Sequence, residues 1–218
     1  MKRIGILLSG CGVQDGGEIH ESVITMLAID KAGAEVVCIA PNKEQMDVVN
    51  HLTGNPMSEK RNVLVEAARI ARGEICDVKD VKVNELDAII LPGGFGAAKN
   101  LSTFAKEGAN CKVDESVAKL LCDIHSAGKP IGAICIAPVV IAKVFGADLK
   151  PEITIGTDVS TAKALETMGA RHKGCPVTDV VVDRKNKIVT TPAYMLANRI
   201  SEVETGIGKL VRAVIELI

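Results

Sequence analysis

The chain has 218 residues, with 26 Lys+Arg against 27 Asp+Glu and a net charge of -1. That length suits one large α/β domain, and the balanced charge leaves no basic block for a nucleic-acid or anionic-membrane partner. Aromatic residues are scarce (three Phe, one Tyr, no Trp), which argues against base-stacking platforms and against an aromatic-lined groove.

Strand and helix patterns alternate from the start. Arg3–Leu8 is an apolar run that ends in the turn-rich Ser9-Gly10-Cys11-Gly12, and no signal peptide, transit sequence or membrane span is expected ahead of it. Ile19, Val23, Ile24, Leu27 and Ala28 have helical spacing from about Glu18, and Gly33 ends that helix. Glu35–Ala40 reads as a second strand, Asp47–Leu52 as a short amphipathic piece, and Glu59–Arg72 as a helix closed by Gly73. Leu86–Leu91 is a third buried strand, which stops at Pro92-Gly93-Gly94-Phe95-Gly96. Val113–Ala127 is helical, Lys129–Ile134 is a strand ending at Cys135, and Pro138–Phe145 is the next helix. Glu152–Ile155 is strand-like, and Ser160 is placed to cap a helix over Thr161–Met168. Val180–Asp183 and Lys187–Thr190 flank a hairpin turn, and Ala193–Ile218 carries a long helical pattern with a break expected near Gly206.

This alternation predicts an α/β fold, a mainly parallel sheet between helical layers, as a single domain over 1–218. Ligands on such sheets bind beyond the carboxyl ends of the strands. Three such ends gather on one rim: Ser9–Gly12, Pro92–Gly94 and Cys135-Ile136.

The seven cysteines are odd in number and contain no CxxC pair, so neither a disulfide framework nor a zinc site is expected. Reduced thiols in a cytoplasmic protein are the simpler account. Taken alone, a cysteine after an apolar strand reads as a core residue. Cys135, however, sits on a strand-to-helix corner near the positive end of the following helix, a placement that lowers a thiol pKa. The glycine turn at 93–94 lets main-chain N–H groups face a bound group, so Gly94 and Ile136 are expected to supply an oxyanion hole. Gly10-x-Gly12 is followed by a glycine at 16, one residue late for a dinucleotide loop; that loop shapes the pocket mouth instead. Glu18, His20 and Glu21 open the first helix. They read either as ordinary first-turn residues or as a carboxylic acid facing Cys135 with His20 as proton carrier.

Leu91-Pro92-Gly93-Gly94 with Ala98-Lys99-Asn100-Leu101, and Ile131–Pro138 around Cys135, resemble the two signature segments of the Parkinson-associated deglycase/PfpI superfamily, a relative of class I glutamine amidotransferase domains. Ser9–Gly12, Asn50–Gly54 and Thr190–Met195 resemble its ElbB-like branch (enhancing lycopene biosynthesis protein), and the likeness covers essentially the whole chain. The resemblance implies a flavodoxin-like three-layer sandwich, commonly a homodimer, with Cys135 as nucleophile and Gly94 and Ile136 as oxyanion donors. The superfamily's acidic partner lies twelve residues before the glycine closing the first helix, which counts back from Gly33 to Glu21. The branch is associated with glyoxalase activity on glyoxal that needs no cofactor and yields glycolate, or with deglycase activity. The segment Glu152–Asp158 lacks the histidine that many relatives carry, and no His-x-Glu occurs near the C-terminal strands, so glutamine hydrolysis is not expected. His20 and Asp15 are then the candidate proton shuttles.

The expected function is cysteine-dependent conversion of a small dicarbonyl, with Cys135, Glu21 and His20 as catalytic residues and no metal. Cys11, Gly12, Asp15, Phe95 and Tyr194 are expected in the substrate pocket, with Val13 on its rim. The competing expectation is a redox-sensing or regulatory binding protein that uses the same cysteine.

Overall fold

The computed structural model describes residues 1–218, in the order β1 (Arg3–Leu7), α1 (Ile19–Lys31), β2 (Glu35–Ala40), α2 (Val63–Ile70), β3 (Ile75–Asp77), β4 (Ala88–Leu91), α3 (Phe95–Lys99) and α4 (Phe104–Glu107). The second half continues through α5 (Glu115–Ser126), β5 (Ile131–Ile134), α6 (Pro138–Leu149), β6 (Glu152–Ile153), α7 (Val159–Thr167), β7 (Arg171–His172), β8 (Val181–Asp183), β9 (Ile188–Thr191) and α8 (Ile200–Glu216). Seven strands form one sheet in the order β3-β2-β1-β4-β5-β9-β8, while β6 and β7 pair separately. Every neighbour in the large sheet is parallel except β8 against β9, the expected hairpin.

The side-chain alternation of the strands divides the core in two. Ile4, Ile6 and Ile90 face a layer formed by α1, α2 and α8. Leu7, Ile89 and Leu91 face the opposite layer, which includes α5, α6 and α7. The fold is a flavodoxin-like α/β sandwich. Because β1, β4 and β5 are neighbours, their carboxyl ends bring the loops after Leu7, Leu91 and Ile134 together on one rim. No helix is long and apolar enough to cross a membrane.

Several elements differ from the sequence reading. Asp47–Leu52, read as a short amphipathic piece, forms no regular element, because isolated bridges Glu44↔Asn62 and Val49↔Pro56 tie the segment into an irregular excursion. The helix expected over 59–72 begins only at Val63, where the Asn62 side chain accepts the Leu64 and Val65 N–H groups. β3 has three residues, too few for an alternation pattern, so the third predicted strand is the fourth in the chain. Asp158, not Ser160, caps α7 by accepting the Thr161 N–H.

The break expected at Gly206 does not occur; instead the segment 193–199 holds a short 3₁₀ turn, and α8 runs unbroken from Ile200. Gly206 is there for space, since a Cβ on it would lie 2.6 Å from the Val177 carbonyl oxygen and 2.8 Å from Thr191 Oγ1. Gly206→Ala should therefore lose about 1–3 kcal/mol by overpacking, although alanine is the better helix former. Urea unfolding curves of the two proteins check this, and a gain in stability would refute the packing argument.

Candidate active site

Cys135 stands on the tight turn between β5 and α6 with φ +59°, a left-handed conformation unusual for a side-chain-bearing residue. Such strain costs about 1–3 kcal/mol and persists only where neighbours enforce it. Here the Cys135 N–H donates to the Thr191 carbonyl at 3.0 Å, and Pro138 starts α6 directly behind. The thiol is 8% exposed, and the main-chain N–H groups of Gly94 and Ile136 donate to its sulfur.

The turn after β4 is shaped for close approach. A Cβ on Gly93 would lie 2.5 Å from Cys135 Cβ and 2.8 Å from Glu21 Oε2. Gly94 has φ +88°, and a Cβ there would collide with the main-chain nitrogen of Glu18. The Gly93 carbonyl accepts the Glu18 N–H at 2.9 Å, which pins the start of α1 to this turn.

Glu18 caps α1, its Oε2 accepting the Glu21 N–H at 2.6 Å. One turn on, Glu21 is fully buried. Its Oε2 accepts the Gly93 N–H at 2.9 Å, its Oε1 accepts the Tyr194 N–H at 3.3 Å, and its side chain hydrogen-bonds Cys135. Burial, reinforced by the Glu18 carboxylate, pushes Glu21 up to about 8. Burial and the Glu21 carboxylate also push the Cys135 thiol upward, against the pull of the Gly94 and Ile136 N–H groups. The low thiol pKa expected from the helix end is thus corrected: desolvation outweighs the dipole. The two acids share one hydrogen bond, so they titrate as a pair.

Above this pair lies a cavity of about 510 Å³ lined by Val13, Glu18, Gly94, Phe95, Phe104, Cys135, Ile136, Asp158 and Tyr194, among others. Three of the chain's four aromatic residues border it, so the aromatics are few but concentrated in one groove, contrary to the expectation drawn from their scarcity. His20 is exposed and does not line the cavity, but its Nδ1 is 2.7 Å from the Tyr194 hydroxyl, which does.

Three pocket expectations are corrected, because Cys11, Gly12 and Asp15 do not line this cavity. Asp15 is buried and structural: Oδ2 accepts the Val49 N–H at 2.7 Å, and Oδ1 lies 3.9 Å from His51 Nε2. Gly12 makes room for that imidazole, since a Cβ on it would lie 2.6 Å from His51 Nε2. The Cys11 thiol, half-buried, is pushed up by burial and by Glu66. Sequence reasoning missed Asn100, Phe104 and Asp158. Asn100 braces the rim by donating to the Ser9 and Asp15 carbonyls at 2.9 and 2.8 Å. Phe104 carried a signal in being one of so few aromatics, and Asp158 in ending the segment where many relatives carry a histidine.

Comparison with known proteins places this geometry. A human protein named "Glutamine amidotransferase-like class 1 domain-containing protein 3, mitochondrial" is 47% identical over 99% of this chain and 83% of its own length. The zebrafish "ES1 protein, mitochondrial" is 35% identical, covering 98% of this chain and 85% of the relative. A crystal structure from Ehrlichia chaffeensis, described as an isoprenoid biosynthesis protein with an amidotransferase-like domain, superposes with TM-score 0.93. It is 36% identical and covers 99% of this chain and 100% of its own. Glyoxalase III from Candida albicans shares the fold at TM-score 0.64 and 16% identity, covering 100% of this chain and 97% of its own. The model of the DJ-1/PfpI family matches residues 11–195, a stretch that carries the glycine turn, the Cys135 corner and Glu21, and the chain belongs to that family.

Proposed function

We propose that the protein is a cofactor-independent glyoxalase that converts glyoxal to glycolate through a Cys135 hemithioacetal. The observation that carries this reading is the buried Glu21–Cys135 hydrogen bond beneath two converging N–H donors, at the floor of a cavity. The Cys135 sulfur adds to one aldehyde carbon, and the resulting oxyanion takes hydrogen bonds from Gly94 and Ile136. Glu21 removes the proton from that carbon and delivers it to the neighbouring one. The electron pair follows, so the first carbon is oxidised to a thioester while the second is reduced to an alcohol. Water then cleaves the thioester, releasing glycolate and the thiol.

His20 connects to this site only through Tyr194, so its part is to relay a proton between the Tyr194 hydroxyl and solvent. Deglycase activity would be the same chemistry on a carbonyl adduct. The location in this reading is a reducing compartment, cytoplasmic or, as in the names of the human and zebrafish relatives, mitochondrial. The sensor alternative needs a thiol open to oxidants in solution, and Cys135 is buried.

Glycolate formation from glyoxal by freshly reduced protein tests the proposal; turnover that is absent, or that survives loss of Cys135, overturns it. A second test is Gly93→Ala. Its methyl group must displace either Cys135 or Glu21, and displacement of reacting groups by about 1 Å can cost 10²-fold in rate. We expect a loss of kcat/KM of about that size, and an unchanged rate would show that the turn does not set the geometry.

A further inference from the structure

The segment Asn50–Gly54 carries one of the motifs singled out in the sequence, yet none of its residues lines the cavity over Cys135. It is a closed turn. Asn50 Oδ1 accepts the Leu52 and Thr53 N–H groups at 3.0 and 3.3 Å, and the Asn50 carbonyl accepts the Gly54 N–H at 2.8 Å. The turn presents His51 to the loop after β1. His51 Nδ1 lies 3.0 Å from the Val49 carbonyl oxygen, and Nε2 lies 3.1 Å from the Gln14 main-chain nitrogen. A carbonyl can only accept and an N–H can only donate, so Nδ1 carries the proton and Nε2 is bare. The ring is neutral in this arrangement.

Gln14 is gripped from two sides. Its N–H donates to His51, its side-chain Nε2 donates to the His51 carbonyl at 3.3 Å, and its own carbonyl accepts from Lys99 Nζ at 2.8 Å. Its neighbours on the loop carry that grip to the active site. The Val13 carbonyl accepts the Phe95 N–H at 2.8 Å, and the Gly16 carbonyl accepts the Gly96 N–H at 2.8 Å. Phe95 directly follows Gly94, whose N–H donates to the Cys135 sulfur. A continuous run of hydrogen bonds and peptide units thus joins the imidazole to one oxyanion donor.

We propose that His51 is a positioning residue with a pH response: its neutral imidazole accepts the Gln14 N–H, holds the 12–16 loop against the turn after β4, and so aims the Gly94 N–H at Cys135. This deepens the glyoxalase proposal and rests on it for the effect on rate. A proton on Nε2 turns the acceptor into a donor that faces another donor. The ring would then turn to Asp15 Oδ1, 3.9 Å from Nε2, and release Gln14. Lys99, on the far side of Gln14, stays committed to both oxygens of Asp47 at 3.1 and 2.9 Å. On the α2 side, Glu66 pairs with Arg61 and Arg69, and all three act on the adjacent Cys11. The imidazole is exposed, so water can deliver the proton.

His51→Gln and His51→Ala test this. Glutamine places an oxygen where Nε2 stands and does not titrate, whereas alanine offers no acceptor. At about pH 8, the upper end of the histidine range, His51→Ala should lose about tenfold or more in kcat with KM unchanged, because the oxyanion forms only after binding. His51→Gln should keep most of the rate. From about pH 8 down to about pH 5, the ratio of wild type to His51→Gln should fall by about tenfold, as the proton does what the alanine does. A ratio that stays constant, or an alanine variant as fast as the glutamine variant, overturns the inference.

Alkylation reads the same contact without turnover. The Gly94 N–H draws the Cys135 thiol down, so losing its aim weakens the thiolate. The pH midpoint of iodoacetamide labelling, followed on the peptide that contains Cys135, should move up in His51→Ala and stay in place in His51→Gln. Equal midpoints in all three proteins overturn the inference even where glycolate forms. A midpoint raised in His51→Ala alone, in a protein that lacks turnover, would sink the glyoxalase proposal and uphold the positioning role.

Discussion

Cys135→Ala should abolish glycolate formation, lowering kcat/KM by about 10⁴-fold or more, as removal of a nucleophile does in enzymes that act covalently. The chain has six other cysteines, but none can substitute, because Cys135 is the only one bordering the cavity. Cys135→Ser separates chemistry from packing. The hydroxyl fills the thiol's place and can still accept from the Gly94 and Ile136 N–H groups, yet its pKa keeps it from being a nucleophile without a stronger base. Both variants should unfold near the wild-type temperature while losing turnover. A serine variant that retained a substantial fraction of the rate would argue for a general-base route with water as nucleophile. An alanine variant that retained full turnover would leave only the carboxyl group at the site and would end the covalent reading.

The fold was legible in the sequence because its signals are local and repeated. β1, β2, β5 and the β8–β9 hairpin are apolar runs bounded by turn residues, and three loop motifs at strand ends declared the rim. Glu21 could be singled out over Glu18 only through the family spacing, since both lie at the start of α1 and both are acidic. Burial separates them: Glu18 spends an oxygen on the helix cap, while Glu21 points inward to Gly93 and Cys135. What failed were inferences that depend on which groups share a cavity. Cys11, Gly12 and Asp15 follow β1 and look like rim residues, yet the loop turns them toward His51 and the 45–51 segment. Phe104 lies on the four-residue helix α4 and reaches the pocket from a part of the chain that no motif marks. The thiol pKa failed for a related reason, because a sequence shows the helix end but not the depth of burial beneath it.

Glu21→Gln should make a slower enzyme whose stability no longer falls with rising pH. Glutamine cannot accept the proton, so loss of a general base predicts a drop in kcat of about 10²–10⁴-fold. Wild-type activity should rise through about pH 8 as the Glu21–Cys135 pair loses its first proton, and that limb should move in the variant. The stability effect follows from the same burial. Glu21 titrates at about 8 in the folded chain against an ordinary value of 4.5, so between those pH values the native state holds a proton that the unfolded chain has released. Stability therefore falls as pH rises across that window, by about 1.4 kcal/mol for each pH unit. Relative to wild type, Glu21→Gln should gain on the order of 3–4 kcal/mol between pH 5 and pH 9. A constant offset opposes the gain: the Gln side chain has one carbonyl oxygen to offer the Gly93 and Tyr194 N–H groups, and a buried donor left without an acceptor costs about 1–3 kcal/mol. The slope is thus the diagnostic quantity, and urea unfolding from pH 5 to 9 measures it. Parallel curves would mean that Glu21 ionises at its ordinary pKa, and a carboxylate charged throughout that range could not donate a hydrogen bond to a Cys135 thiolate.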